Sequence, residues 1–488
     1  MQVALAALLC LASGFALVSM GWSRRGPLGS DLLLRGSLAV GYGIGIFSAV
    51  YFLALLFGVT NLLLVDVVVL GLLRIVLFAR RGRSTPARTA EFPRAESHEP
   101  AWLRRTLTVA FLVALVAAVY SAVMRTLAYP QGDGWDAFAI WNLHARFLFR
   151  GGVNWHDGFT SVILWSHPDY PLLVPASVAH FWSFLGRDSA AVPAVIGLAF
   201  TFATAGVLIA GLSILRGRNA ALLGGIALLA TPSFIEQGIR QYADTPLSFF
   251  ILATIVLLSL HDDGVQKNPS TPSAGVLALA GLAAGFAAWT KNEGLLFFCM
   301  LVLARCAVRV DSASENWRAR LQGTTLLVVA AAPVLAVVYF FKHFVAPSGG
   351  QISDSATILH RALDPSRHWA IIQWYVKEFF RFGHWLVIVP GTLLLVGFCF
   401  WAGRADRSEG PSARASGLAL ALTLVGYYGA FLIAPYVLYL YLRFSMTRLY
   451  LQVWPAAIFL FFLSVRCSWT TPTTGGLASE RSQLPVSQ

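Results

Sequence analysis

The sequence predicts an all-α polytopic membrane protein with about thirteen transmembrane helices. Three observations carry this. The 488 residues are 57% hydrophobic and only 12% charged, about half the charge of an ordinary soluble domain. The mean hydropathy is +0.68. Apolar runs of about 20 residues recur along the chain, and they are continuous rather than alternating, which argues against a β-barrel.

The net charge of +13 would suggest a nucleic-acid partner in a soluble protein. Here the arginines cluster between apolar runs, where they mark cytoplasmic loops, and nothing resembles a nucleic-acid module. The five cysteines follow neither a disulfide framework nor a metal-ligand spacing.

The first 26 residues, MQVALAALLCLASGFALVSMGWSRRG, lack a basic segment ahead of the apolar run and a small-residue cleavage site. They are read as a retained first span with its N-terminus outside. Span one covers about 2–22, span two 34–57 and span three 60–79. The segment 80–105 follows with seven arginines plus Pro, Ser and Glu, a basic cytoplasmic linker. Span four, about 106–128, leads outside to a first large loop, 129–189.

Spans five to ten cover about 190–214, 219–235, 245–260, 274–290, 295–308 and 324–346. A second outside loop, 347–384, precedes span eleven at about 385–402. Spans twelve and thirteen, about 417–441 and 449–465, flank an outside turn holding Arg443 and Arg448. The division is therefore a three-span extension at 1–79, the linker at 80–105, a transmembrane catalytic domain at 106–466 and a cytoplasmic tail at 467–488. Both outside loops mix aromatic with polar residues, as helices lying along a membrane do.

Charge is costly at membrane depth, so polar groups gathered at the outer ends of spans point to a site there. Five segments supply them. They are Asp133 and Asp136 in GDGWDAFAIW, and His167, Asp169 and Tyr170 in SHPDYPLLVP. Arg240 and Asp244 follow in IRQYADTPLSFF, Lys291 and Glu293 in AWTKNEGLLFF, and Arg443 and Arg448 in LRFSMTRLYLQVWP. Asp133 and Asp136 are three apart, one face of a helix if the segment is helical. Two such carboxylates hold a divalent ion or none. Asp66 and Arg74 inside span three are read as a packing or register device. No Walker A, GxGxxG, HExxH or GxSxG pattern is present, so any transferred group must reach the outer face already activated.

At these residues the chain resembles the GT-C superfamily of membrane glycosyltransferases, nearest the branch of protein O-mannosyltransferases and bacterial lipid A aminoarabinose transferases. GDGWDAFAIW resembles the acidic-aromatic opening of that family's first outer loop, and HPDYPL its Pro-Leu stretch. YADTPLSFFILATIVLL resembles the acidic start of a later span, and AFAAWTKNEGLLFF a small-residue span ending in TK-x-x-G. The family's Asp-Glu pair is Asp136-Ala137 here, and three extra spans precede the loop.

The resemblance implies a polyprenyl-phosphate-linked sugar donor and a protein, lipid or glycan acceptor. It implies an extracytoplasmic active site in the cell (inner or plasma) membrane. An inverting transfer needs one carboxylate as base, a role for Asp136, with Asp133 orienting it, binding a metal or capping a helix. Lys291, Arg240 and Arg448 are then candidates to meet the leaving phosphate. A transporter or flippase for a lipid-linked sugar is the alternative, but it would place charges near the midplane, often with internal repeats.

Overall fold

The computed structural model describes residues 1–22, 26–81, 100–267, 274–308, 317–347, 355–383, 391–403 and 410–467. Several inward-marking charges, Arg24, Arg25, Arg309, Arg404 and Arg407, lie outside them. So do most of the 80–105 linker and all of the 467–488 tail but its first residue.

Among the described residues the chain is helical, with no strand. The helices are α1 Gln2–Gly21, α2 Leu28–Leu56, α3 Leu62–Arg81, α4 Ala101–Ala128, α5 Asn142–Arg150, α6 Leu173–Leu185, α7 Ala191–Arg216, α8 Arg218–Leu229 and α9 Pro232–Ile239. They continue as α10 Asp244–Lys267, α11 Ala274–Thr290, α12 Asn292–Ala307, α13 Trp317–Phe340, α14 Ser355–Leu363, α15 Pro365–Arg381, α16 Gly391–Ala402, α17 Pro411–Ile433 and α18 Leu438–Ser464.

Each expected span falls on one of these helices except the sixth, on α8 and α9 together, and the twelfth, which runs from α17 into α18. Nine of the described helices are long and apolar enough to cross a membrane, or ten if the α8–α9 pair, bent by 64°, is one span. The count by length is below thirteen because α11, α12 and α16 have only 17, 16 and 12 residues. Cysteines placed at Arg88 and Gln351 in a background free of native cysteine should be labelled from opposite sides of the membrane; labelling from one side would refute the threading.

The last two spans differ from expectation. α17 stops at Ile433 because Pro435 pushes Ala434 to an extended conformation, ψ 139°. α18 then starts at Leu438, so Arg443 and Arg448 sit in its early turns rather than in a loop.

α10 is the buried axis of the bundle, packed on α7, α11 and α18. It reads as apolar on every side, as a helix surrounded by others must. The loop at 129–189 holds a π-type turn at Ala137–Trp141, α5, two 3-10 turns and α6. α6 does not lie on the surface: most of its residues are buried, and it packs on α2 and α1. The second outer loop supplies α14 and α15. Asp364 caps α15 by accepting from the Ser366 N–H at 2.9 Å. Arg367 of α15 donates to the carbonyls of Phe431, Leu432 and Ala434, which end α17 without helical partners. Trp369, Ile372, Val376, Phe379 and Phe380 of α15 stay exposed, the apolar stripe expected of a membrane-lying helix.

The extension α1–α3 is packed into the bundle. Asp66 of α3 pairs with His180 of α6 at 3.0 Å, both side chains 1% exposed. Arg74 is exposed, so Asp66 alone serves the packing role expected of the two.

Candidate active site

At one end of the bundle the C-termini of α4, α11 and α13 meet the N-termini of α10 and α12 and the first turns of α18. Four of the five predicted segments converge there. Asp244, the first residue of α10, is fully buried at its centre. The partial positive charge of a helix N-terminus favours a carboxylate at that place. Lys291 sits in the break between α11 and α12, with extended backbone at φ −162° and ψ 159°. Its Nζ lies 3.0 Å from Asp244 Oδ1 and 2.8 Å from Glu293 Oε1. Arg448 and Gln452 are four apart, one face of α18. Gln452 donates to Asp244 Oδ1 at 2.6 Å, and Arg448 Nε to Asp244 Oδ2 at 3.0 Å.

Arg448 also reaches the outer loop. Its Nη1 donates to Asp136 Oδ2 at 2.6 Å. Three of its five N–H groups thus face carboxylates, counting Nη2 at 2.9 Å from Asp244 Oδ2. Asp136 is 22% exposed at its side chain. Among the described residues no group bonds its Oδ1. The network Asp136, Arg448, Asp244, Lys291 and Glu293 joins three carboxylates to two cations. The cations' charge is matched by the protein itself, so the network offers spare N–H donors rather than net positive charge. Burial weakens Lys291 as a cation, but Asp244 and Glu293 outweigh this and raise its pKa above the usual range.

Asp133 does not share a helix face with Asp136. The helical segment begins at Trp135, and Gly132 before it has φ +82°, a left-handed conformation that glycine adopts readily. Asp133 turns instead to Arg240, 2.7 Å away, and to Arg125 at 3.8 Å. Glu236 completes that cluster, 3.0 Å from Arg240 and 3.2 Å from Arg125. Arg240 is therefore committed to two carboxylates. The donor set does not fit a metal at Asp133 and Asp136. Each carboxylate is met by a different arginine, and among the described residues no group of three His, Cys, Asp or Glu side chains converges.

Gly134 fits only without a side chain. A Cβ there would sit 1.8 Å from the hydroxyl of Tyr242, whose ring lies 4.7 Å from the Arg448 guanidinium. Gly134→Ala should therefore displace Asp136 and lower activity by about 100-fold, measured as transfer by membranes holding equal amounts of protein. Wild-type rates would rule out the close approach.

The loop 167–170 closes a third side. Tyr170 stacks on Trp141 and His167, with centroids 5.6 and 4.7 Å apart, and Lys291 stands 5.8 Å from the Tyr170 ring centroid. Asp169 Oδ2 accepts from Asn292 at 2.8 Å and pairs with Lys342 at 3.4 Å. Burial pushes the pKa of His167 down, although Asp169 and Asp136 oppose it. Burial also pushes His144 down to about 3, with His167 adding to it. The His144 ring is thereby held neutral at pH 7.

Asp133 and Arg240 form the separate cluster beside the network, and Arg443 joins neither; it is exposed, 5.7 Å from the Phe444 ring. Sequence reasoning missed Arg125, Glu236, Gln241, Tyr242, Asn292, Lys342 and Gln452. Arg125 and Lys342 left a signal, as lone cations at the outer ends of spans four and ten.

Residues 181–346 match the family model of dolichyl-phosphate-mannose-protein mannosyltransferase. No curated protein and no solved structure matches the chain. The matched stretch contains Arg240, Asp244, Lys291, Glu293 and Lys342, and two elements outside it bring Asp136 and Arg448 to them. That stretch, on a polytopic helical bundle, carries the domain of a membrane mannosyltransferase family and supports an integral-membrane glycosyltransferase of the GT-C kind.

Proposed function

We propose that the chain transfers mannose from a polyprenyl-phosphate donor to a hydroxyl of a protein acceptor on the extracytoplasmic face, with inversion, using Asp136 as general base. The observation that carries this is a part-exposed carboxylate with one oxygen tied to Arg448 and the other free among the described residues. Asp136 accepts the acceptor's hydroxyl proton while that oxygen attacks the anomeric carbon. The bond from the anomeric carbon to the phosphate oxygen breaks, and the polyprenyl phosphate leaves with the electron pair. A single displacement inverts the centre. The remaining N–H groups of Arg448 and Lys291 are the nearest donors for the charge growing on the phosphate.

Mannose, the phosphate-linked donor and the protein acceptor are taken from the name of the matched family; the base rests on the cluster itself. Charges at helix ends rather than at mid-span favour this over a transporter. The test is the purified protein in lipid nanodiscs with labelled polyprenyl-phosphate mannose and a Ser/Thr-containing peptide. Label should appear on the peptide with inverted anomeric configuration. No transfer from this donor, or retention of configuration, would defeat the reading.

A further inference from the structure

One residue in the described chain outside the catalytic network combines an unfavourable backbone with two hydrogen bonds that bracket Asp136. Gln241 has φ +62°, a left-handed conformation that costs a residue with a side chain. Only His167 shares this among the described non-glycine residues. Gln241 is 3% exposed. Glycine would relieve the backbone, so the position is held for the side chain.

That side chain spans two points of the outer loop. Gln241 Nε2 donates to the Pro130 carbonyl at 2.9 Å, and its Oε1 accepts from Asn142 Nδ2 at 2.9 Å. A proline carbonyl only accepts, so the amide's orientation is fixed. Pro130 and Asn142 bracket the segment carrying Asp136. The neighbours of Gln241 press on the same segment. Arg240 holds Asp133 at 2.7 Å, and its carbonyl would lie 2.7 Å from a Cβ on Gly132. The Tyr242 hydroxyl packs against Gly134, 1.8 Å from where a Cβ would stand. The left-handed turn at Gln241 aims three successive side chains at one loop.

We infer that the strip 240–242 is the template that seats the Asp136 loop, and that Gln241 is a positioning residue for transfer. This rests on Asp136 being the base. Gln241 touches neither Asp136 nor the cations; it acts by fixing both ends of the segment between them.

Two variants test it. Gln241→Glu keeps shape and acceptor but cannot donate to Pro130 when ionised. Gln241→Gly keeps the backbone turn and removes both bonds. Each should lower kcat about tenfold or more with donor KM unchanged, because a base moved by even about 1 Å loses rate. Amide hydrogen exchange in nanodiscs should rise across 130–142 and stay unchanged in α10 and α11. Wild-type kcat in both variants, or exchange rising equally throughout the protein, would overturn the proposal. Asp136→Asn assayed alongside separates the two readings. If that variant stays active, the base assignment falls, and localised exchange at 130–142 still reports the seating. If it is inactive while both Gln241 variants turn over normally, the seating falls and the base stands.

Discussion

Asp136→Asn is expected to reduce glycosyl transfer by about 100-fold or more, the scale of a lost general base. Asparagine nearly matches the carboxylate in shape, and Arg448 keeps its contacts to Asp244. The protein should therefore reach the membrane in normal amount and unfold at a normal temperature in detergent. Asp133→Asn should be milder, because Asp133 faces Arg240 and Arg125 and has no contact with the network. Both variants are compared with labelled donor at saturating acceptor. Near-normal turnover by Asp136→Asn with a dead Asp133→Asn would swap the roles. Activity in both would remove the loop from the chemistry.

Arg448→Ala should be as damaging to activity and also destabilising. Asp244 is fully buried and would keep only Lys291 and Gln452 as partners. Removing one member of a buried ion pair costs about 3–5 kcal/mol. Arg448→Lys is the sharper variant. A guanidinium forks between Asp136 and Asp244 at 2.6 and 3.0 Å, whereas an ammonium is a point charge that cannot replace that planar fork. Lysine should restore much of the unfolding temperature but leave kcat at least tenfold low, since each tenfold corresponds to about 1.4 kcal/mol of lost positioning. Full recovery of kcat with lysine would show that charge alone suffices and that the fork has no role in holding Asp136.

Much of the fold was legible because lipid leaves few options. A backbone in hydrocarbon must satisfy itself, so helices follow directly from apolar runs. The last two spans misled for a local reason: charge around Arg443 and Arg448 lowers the hydropathy, while the helix continues and turns Arg448 inward. Of the site, Asp136, Asp244, Lys291, Glu293 and Arg448 were legible as ionisable groups near the ends of apolar runs. Their pairing was not, because Asp136 and Arg448 stand 312 positions apart. Spacing alone did not place Asp133, since residues three apart share a helix face only once the helix has begun, here at Trp135. Gln452 and Gln241 gave no warning: a single amide in an apolar or mixed stretch has no periodicity to detect. The separation of a 1–79 extension from a 106–466 domain also reads differently in three dimensions.

The basic linker is a seam in the sequence and not in the molecule. Beyond the Asp66–His180 pair, Tyr42 of α2 donates to the Leu279 carbonyl at 2.5 Å, and Trp289 donates to Ser48 at 3.0 Å. Trp289 closes α11 two residues before Lys291, and α2 packs along α6 and α7. A shortened enzyme begun after the linker would turn these polar groups toward lipid tails that offer no partner. The three leading helices thus work as an internal wall of the catalytic half, and modular swapping of domains at the linker would cut through the interior rather than around it.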